Sequence, residues 1–500
     1  MADIRLLLIK FDFINLTATM SNLENYFQKY RTNIIGDKQK YTSPFGTQSM
    51  IYADWIASGR LYKPIEEKIS TVIGPFVANT HTETSESGTR MTNAYHYAQN
   101  IIKKHVNANS NDVLITAGYG MTAVVNKFQR ILGLKKDFNN SKEKPVVFIT
   151  HMEHHSNQTS WYQTNCDVVI IPPSKELLVS IDNLRAELEK YKDRKLKIGS
   201  FSAASNVTGI INPYHEMAAV MHDFGGLCFI DFAGSAPYVE INMHPQNSKE
   251  KLDAIMFSPH KFLGGPGSSG VLIFDKSLYC NEVPDNPGGG TVDWTNAWGE
   301  YKFIDDIELR EDGGTPGFLQ TIRTALSIQL KEDMGSDKIM KREHELINIA
   351  ITNLEKIQGI NVLASEHKNR IGAISFYHDK IHFNLIVKLL SDKYGVQVRG
   401  GCACAGTYGH IMLNVDYETS KLITAKINKG DLSEKPGWIR LSIHPTMTND
   451  ELYLIINAVS EIVENINELS INYKYDSHTN EFPYIGPDFN QESIENWFND

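Results

Sequence analysis

Lys261 stands beside His260 in the glycine-rich stretch Ser258-Pro259-His260-Lys261-Phe262-Leu263-Gly264-Gly265-Pro266-Gly267, directly after the apolar run Leu252-Asp253-Ala254-Ile255-Met256-Phe257. An ammonium is costly to bury unpaired. A lysine in this setting either caps a loop or is an amine of lowered pKa that can form a Schiff base with an aldehyde. Asp231 closes the apolar run Leu227-Cys228-Phe229-Ile230. A carboxylate there is either a structural hydrogen-bond partner or the counter-charge of a protonated heterocyclic nitrogen. In Gly118-Tyr119-Gly120-Met121-Thr122, between a strand pattern and a helix pattern, glycines free backbone N–H groups and a helix N-terminus attracts an anion. Any tight turn of this kind can carry glycine, so the turn alone decides little. His154 and His155 follow the apolar run ending at Ile149. A histidine pair hints at metal, and Cys402 and Cys404 form a C-x-C, but no third and fourth ligand stands at a recognisable spacing. No metal is expected.

Taken in chain order, an anion turn, a histidine loop, a strand-end aspartate and a lysine in a glycine-rich turn fit one cofactor. Pyridoxal 5'-phosphate needs a phosphate cradle, a stacking ring, a carboxylate for its ring nitrogen and an amine for its aldehyde.

The elements that must position these groups alternate. Strand patterns at 112–116, 145–149, 168–171, 196–202, 227–231, 254–258 and 271–274 are separated by helix patterns at 123–132, 181–191 and 213–224. That order predicts a largely parallel sheet covered on both faces, with ligands beyond the carboxyl ends of its strands. Upstream, 50–54 reads as a short strand, 65–74 and 92–106 as helices, and the polar run 79–88 as a loop. Downstream, helices at 318–332, 338–357, 383–393 and 450–465 mix with strands at 372–377, 396–398 and 438–443, an α+β pattern different in kind. The expected fold class is α/β, a large domain with a mostly parallel seven-stranded sheet plus a smaller α+β domain. The expected boundaries are an arm at 1–40, the large cofactor domain at 41–310, the small domain at 311–470 with a possible share from the N-terminal segment, and a tail at 471–500.

The 500 residues are 41% hydrophobic, enough for more than one core, and carry a net charge of −10, which argues against nucleic acid as a partner. Five cysteines without a disulfide-scaffold spacing point to a reducing compartment, the cytoplasm. No apolar run reaches membrane-spanning length and no signal-peptide pattern is evident, so neither membrane nor export is expected.

At these residues the chain resembles the class V aminotransferase family of pyridoxal-phosphate enzymes, in its cysteine desulfurase and selenocysteine lyase branch, from about Tyr52 to Ile462. The resemblance implies the type I fold of these transferases. Met152-Glu153-His154-His155-Ser156-Asn157 is similar to the family's E-H-H-x-N loop, which implies that His154 stacks on the cofactor ring. Ser205-Asn206-Val207-Thr208-Gly209 is similar to an S-N-V-x-G turn, which places Asn206 beside cofactor or substrate. Gly120, Met121, Thr122, Ser258 and His260 match phosphate-binding positions, and Lys261 matches the Schiff-base lysine. Thr291, after Gly288-Gly289-Gly290, matches a residue that reaches the partner subunit's phosphate, so the resemblance implies a homodimer with a shared active site. Arg440 and Arg399 match arginines that bind the substrate carboxylate, for which a bidentate fork is suited. Cys404, in Arg399-Gly400-Gly401-Cys402-Ala403-Cys404-Ala405-Gly406, aligns with the persulfide-forming cysteine. Where the family has D-x-x-Q, this chain reads Asp231-Phe232-Ala233-Gly234, so Asn206 or Ser235 must replace the glutamine at the cofactor's phenolic oxygen.

The expected activity is a cysteine desulfurase: L-cysteine to L-alanine, with the sulfur held as a persulfide on Cys404, passed to an acceptor protein, and His154 as proton carrier. Two other outcomes stand beside it. One is transamination, or a selenocysteine lyase or epimerase reaction that needs no cysteine. The other is a scaffold that kept the fold and lost the chemistry.

Overall fold

The computed structural model describes residues 22–137, 143–489 and 492–499. Seven strands carry the large domain: β1 (Asp112–Ala117), β2 (Val146–Ile149), β3 (Asp167–Ile170), β4 (Lys197–Ser202), β5 (Leu227–Asp231), β6 (Ala254–Phe257) and β7 (Gly270–Asp275). Their order is β1-β7-β6-β5-β4-β2-β3. Only β7 runs against the rest, pairing antiparallel with both β1 and β6. Every residue of β2 and β6 is buried. Such unbroken apolar runs belong to strands with helices on both faces, supplied here by helices such as Met121–Ile131, Ile181–Lys190 and Tyr214–Asp223. The crossovers bring the turns after β1, β2, β4, β5 and β6 to one rim. These turns hold Gly120, His154, Asn206 and Lys261, and Asp231 ends β5 at the same rim.

The second sheet is built from β8 (Ile360–Val362), β9 (Ala373–His378), β10 (Arg399–Gly401) and β11 (Trp438–Ser442), in the order β8-β9-β11-β10. Arg399 on β10 stands opposite Arg440 on β11. Helices Ser336–Leu354, Phe383–Tyr394 and Asn449–Glu464 complete this part. The last begins with a capping box between Thr448 and Glu451, a device that contributes about 1 kcal/mol.

The N-terminal segment is built into these C-terminal elements. Arg31, at the end of the helix Asn22–Arg31, grips both oxygens of Glu451 at 2.6 Å. Ile51–Tyr52 pairs in parallel with Val396–Gln397, and Asp54 bridges to Ser442. Residues 1–21 of the expected arm lie outside the described residues. The stretch from 471 docks without a regular element: Tyr473 donates to Asp392 at 2.8 Å, the Asn384 amide donates to the Asn480 carbonyl at 2.6 Å, and the Leu432 N–H donates to the Ser477 carbonyl at 2.7 Å.

Two sequence expectations need correction. The helix expected to begin at Thr92 begins at Glu86, because Ser85 caps it by accepting the Gly88 N–H. The helix expected over 65–74 is α only over Lys63–Glu67, then π over Lys68–Ile73 and 3₁₀ over Gly74–Phe76. Its β-branched run Ile69, Thr71, Val72, Ile73 disfavours regular α geometry, and Pro75 bars its continuation. Among the described residues no helix is long and apolar enough to cross a membrane.

Candidate active site

A cleft of about 750 Å³ opens between the rim of the large sheet and the second sheet. Its lining includes Gly120, Met121, Thr122, His154, Asn206, Asp231, Ser258, His260, Lys261, Arg399, Cys404 and Arg440. Of the candidate residues, Thr291, Ser235, His155 and Cys402 are absent from it. Thr291 is buried elsewhere, where its hydroxyl donates to the Gly288 carbonyl at 2.6 Å.

Lys261 ends a single 3₁₀ turn, Pro259–Lys261, that carries the chain off β6. Burial pushes its pKa down to about 8; Asp231 opposes the shift, and Arg440 and Arg399 add to it. Asp231, at the carboxyl end of β5, is buried and accepts the Ala233 N–H at 2.7 Å. Burial and the nearby Glu153 raise its pKa to about 7 despite that hydrogen bond and Lys261. An amine and a carboxyl whose pKa values are both shifted toward neutrality at one site are poised for proton chemistry.

His154 N-caps the helix His155–Tyr162, its Nδ1 accepting the Ser156 N–H at 3.1 Å. The ring proton therefore resides on Nε2. Burial, with Lys261 nearby, pushes its pKa down to about 3, which leaves a neutral, flat ring and a weak base. The turn that aims it is pinned by Glu153. This buried carboxyl accepts from the hydroxyls of Thr150 and Ser202, both at 2.6 Å, and from the Asn157 amide at 2.7 Å. Glu153 and Asn157 thus fix the histidine without lining the cleft.

At the helix Met121–Ile131, the Met121 N–H donates to Ser258 Oγ at 2.8 Å and the Thr122 hydroxyl meets Ser156 Oγ at 2.6 Å. A Cβ on Gly120 would lie 2.9 Å from Ser258 Oγ, so glycine keeps this corner open. His260 flanks it as a neutral ring, its pKa pushed to about 4 by burial and by Lys261.

On the opposite wall Arg440 is buried. Its Nη2 meets Asp54 Oδ1 at 2.8 Å and its Nη1 donates to the Asn206 carbonyl at 3.2 Å, while its Nε is buried without a partner. Arg399 reaches the other Asp54 oxygen at 3.0 Å. Asn206 donates its amide to the Ala403 carbonyl at 2.6 Å and leaves Oδ1 buried and unpartnered. Asn206 therefore faces the cleft; Ser235 does not line it. Gly234 does, and a Cβ there would come no closer than 3.8 Å to any neighbour, so packing does not require glycine in place of the family's glutamine.

Cys404 is exposed at the cleft, whereas Cys402 is half-buried against an apolar cluster of Met152, Val207, Tyr408 and Trp438. Ala403 and Cys404 both take the left-handed region, at φ 50° and 58°. That conformation costs a side-chain-bearing residue roughly 1–2 kcal/mol. It is held by the Asn206 bond to Ala403, by the His155 N–H donating to the Cys404 carbonyl at 2.8 Å, and by the Gly406 N–H donating to His155 Nε2 at 2.9 Å. Sequence reasoning noted neither Asp54 nor His155 as part of the site. Asp54 gave no local signal, whereas His155 was visible as the second histidine of its loop.

The aminotransferase class-V family model matches residues 51–455. A protein of Halalkalibacterium halodurans described as a probable cysteine desulfurase is 30% identical over 361 residues, covering 71% of this chain and 84% of that protein. One from Staphylococcus epidermidis with the same description is 28% identical over 360 residues, covering 71% and 83%. Among solved structures, the apo cysteine desulfurase from Thermococcus onnurineus NA1 superposes with a TM-score of 0.71 at 22% identity, over 87% of this chain and 98% of that one. The chain belongs to the class V aminotransferase family, whose members use pyridoxal phosphate. The residues present fit that group. A half-buried lysine of lowered pKa, a strand-end aspartate, a neutral ring, an open glycine corner at a helix N-terminus and the unpartnered Asn206 Oδ1 line one cleft.

Proposed function

We propose that this enzyme removes sulfur from L-cysteine, leaving L-alanine, and takes the sulfur as a persulfide on Cys404. The observation that carries this reading is an exposed thiol, on a loop held in strained geometry, lining the same cleft as the half-buried Lys261 and the buried Arg440. The names of the relatives point the same way. Gly120, Met121, Thr122, Ser258 and His260 would hold the phosphate of the cofactor, His154 would stack on its ring and Asp231 would hold its ring proton. When bound, the cofactor supplies an aldehyde for the Lys261 amine and a protonated ring that draws electrons from the substrate's α-carbon.

The chain's own residues do the rest. Arg440 fixes the substrate carboxylate through the guanidinium N–H groups that its bonds to Asp54 and Asn206 leave over. Lys261, whose pKa of about 8 lies close to neutrality, takes the α-proton at Nζ. The Cys404 thiolate attacks the substrate sulfur; the S–S bond forms as the C–S bond breaks, and the electron pair goes to the departing carbon. A proton then returns to that carbon and alanine leaves. One sulfur atom has moved and no external oxidant is needed. His154 contributes its Nε2 proton as a hydrogen-bond donor, and its lowered pKa makes it a poor base.

The exposed apolar side chains Val72, Val77 and Tyr97, and the hairpin after Thr291 with Trp294 and Trp298, support a homodimer that shares its sites. An exposed persulfide at Cys404 suits transfer to an acceptor protein, and five unpaired thiols suit the cytoplasm.

The test is incubation of the cofactor-loaded enzyme with L-cysteine, measuring alanine and protein-bound persulfide. Cys404→Ala should lose alanine formation by about 10²-fold or more, whereas Cys402→Ala should retain it. Undiminished turnover by Cys404→Ala would remove the thiol mechanism and favour a reaction on the same cofactor that needs no cysteine.

A further inference from the structure

Asp54 has no local sequence signature, yet it stands between the two arginines of the clamp. Its Oδ1 takes Arg440 Nη2 at 2.8 Å and its Oδ2 takes Arg399 Nε at 3.0 Å. The backbone that presents it is fixed on both sides. The Ala53 N–H donates to the Gln397 carbonyl at 2.9 Å, the Ser442 N–H donates to the Ala53 carbonyl at 2.7 Å, and the Tyr52 hydroxyl reaches the Asp54 carbonyl at 3.2 Å. The carboxylate is therefore built into the wall rather than borne on a swinging loop. Arg440 is 3% exposed; it gives one N–H of Nη1 to Asn206 and one of Nη2 to Asp54, which leaves three of its five N–H groups for anything else. Two guanidinium groups and one carboxylate leave this cluster with a single net positive charge.

We propose that Asp54 sets the charge selectivity of the substrate clamp, leaving room for one carboxylate and turning away amino acids that carry a second acidic group. The proposal rests on the reading that Arg440 and Arg399 hold the substrate's α-carboxylate. Two arginines free of Asp54 would offer a fork to each end of aspartate, glutamate or cysteine sulfinate. With Asp54 in place, the second anionic group meets a fixed negative charge, and repulsion of the wrong ligand is an effective source of selectivity. L-Cysteine, L-alanine and other monocarboxylates bring one negative charge to a site with one positive charge to offer. Asp54 acts through the arginines and is a positioning residue.

The experiment is an equilibrium titration of the cofactor-loaded enzyme with L-alanine and with L-aspartate, followed by the cofactor's visible absorbance, so that binding is read without turnover. Asp54→Asn should raise the affinity for L-aspartate relative to L-alanine by about tenfold or more. Asp54→Ser should shift the ratio the same way, and Asp54→Glu, which keeps the charge, should retain the wild-type ratio. A ratio unchanged in both uncharged variants, while Arg440→Lys weakens both ligands, overturns the proposal and leaves the clamp standing. If Arg440→Lys leaves L-alanine binding untouched, the carboxylate is held elsewhere, and the reading of the clamp fails together with the proposal.

Discussion

Replacing Lys261 by methionine should stabilise the cofactor-free protein, an outcome opposite to that of most core substitutions. The lysine is half-buried in the wall of the cleft, and the protein around it pushes its pKa from 10.5 to about 8, mainly by desolvation. At about 1.4 kcal/mol for each unit, a drop of that size is worth roughly 3 kcal/mol against the folded state while the amine is charged. Two effects reduce the net figure. Water entering the cleft solvates part of the charge, and losing the lysine removes an attraction to Asp231. Asp231, with a pKa of about 7, need not stay ionised when the lysine is gone, so little charge is stranded. The expected gain is about 1–3 kcal/mol at pH 7. Because the folded pKa is depressed, the penalty is full below about 8, shrinks as pH rises toward 10.5 and vanishes above it. Urea unfolding of both cofactor-free proteins at pH 7, 9 and 10.5, scored on the first transition, measures this directly. Equal stability at pH 7, or a gain that persists undiminished at pH 10.5, would refute the reasoning.

His155→Phe removes the acceptor for the Gly406 N–H, a hydrogen bond worth about 1 kcal/mol. Cys404 should then be alkylated by iodoacetamide about fivefold faster; an unchanged rate would show that the His155–Gly406 bond does not hold the loop. In the wild type, burial and Lys435 keep the His155 pKa below 6.5, so the acceptor is intact at neutral pH. Its contribution to stability is lost only as pH falls from 6.5 through that lowered value, and alkylation corrected for thiolate content should rise over the same interval. Gly120→Ala places a methyl 2.9 Å from Ser258 Oγ, displacing the hydroxyl that Met121 N–H binds. Pyridoxal-phosphate affinity should fall about tenfold with the circular dichroism spectrum unchanged, and equal affinity would argue against this corner as the phosphate cradle.

The seven-stranded sheet was legible because its central strands are buried on both faces and read as unbroken apolar runs, as Val146–Ile149 and Ala254–Phe257 do. Lys261, Asp231 and His154 were legible because each ends or follows such a run. What the sequence did not reveal depends on contacts between distant segments. The helix Asn22–Arg31 is defined by its grip on Glu451, and the docked stretch around Tyr473 by aromatic and amide contacts that leave no period to detect. Ser85 was hidden by a polar run that reads as loop when it is a helix cap and first turn. The strand Ile51–Tyr52 was visible, but the role of Asp54 just beyond it was not, since its two partners lie 345 and 386 residues away.

That separation bears on when the protein can act during its own synthesis. A ribosome adding about 5–20 residues per second needs roughly 20–80 s to travel from Asp54 to Arg440. The last strand of the cofactor sheet, Gly270–Asp275, is made a little past halfway through that interval, and from then until Arg399 and Arg440 follow, the sheet can form while the carboxylate of Asp54 lacks its two partners. A nascent or truncated chain could therefore take up pyridoxal phosphate yet lack the grip on its amino acid, and competence would arrive in one step as the last third of the chain folds back onto the first.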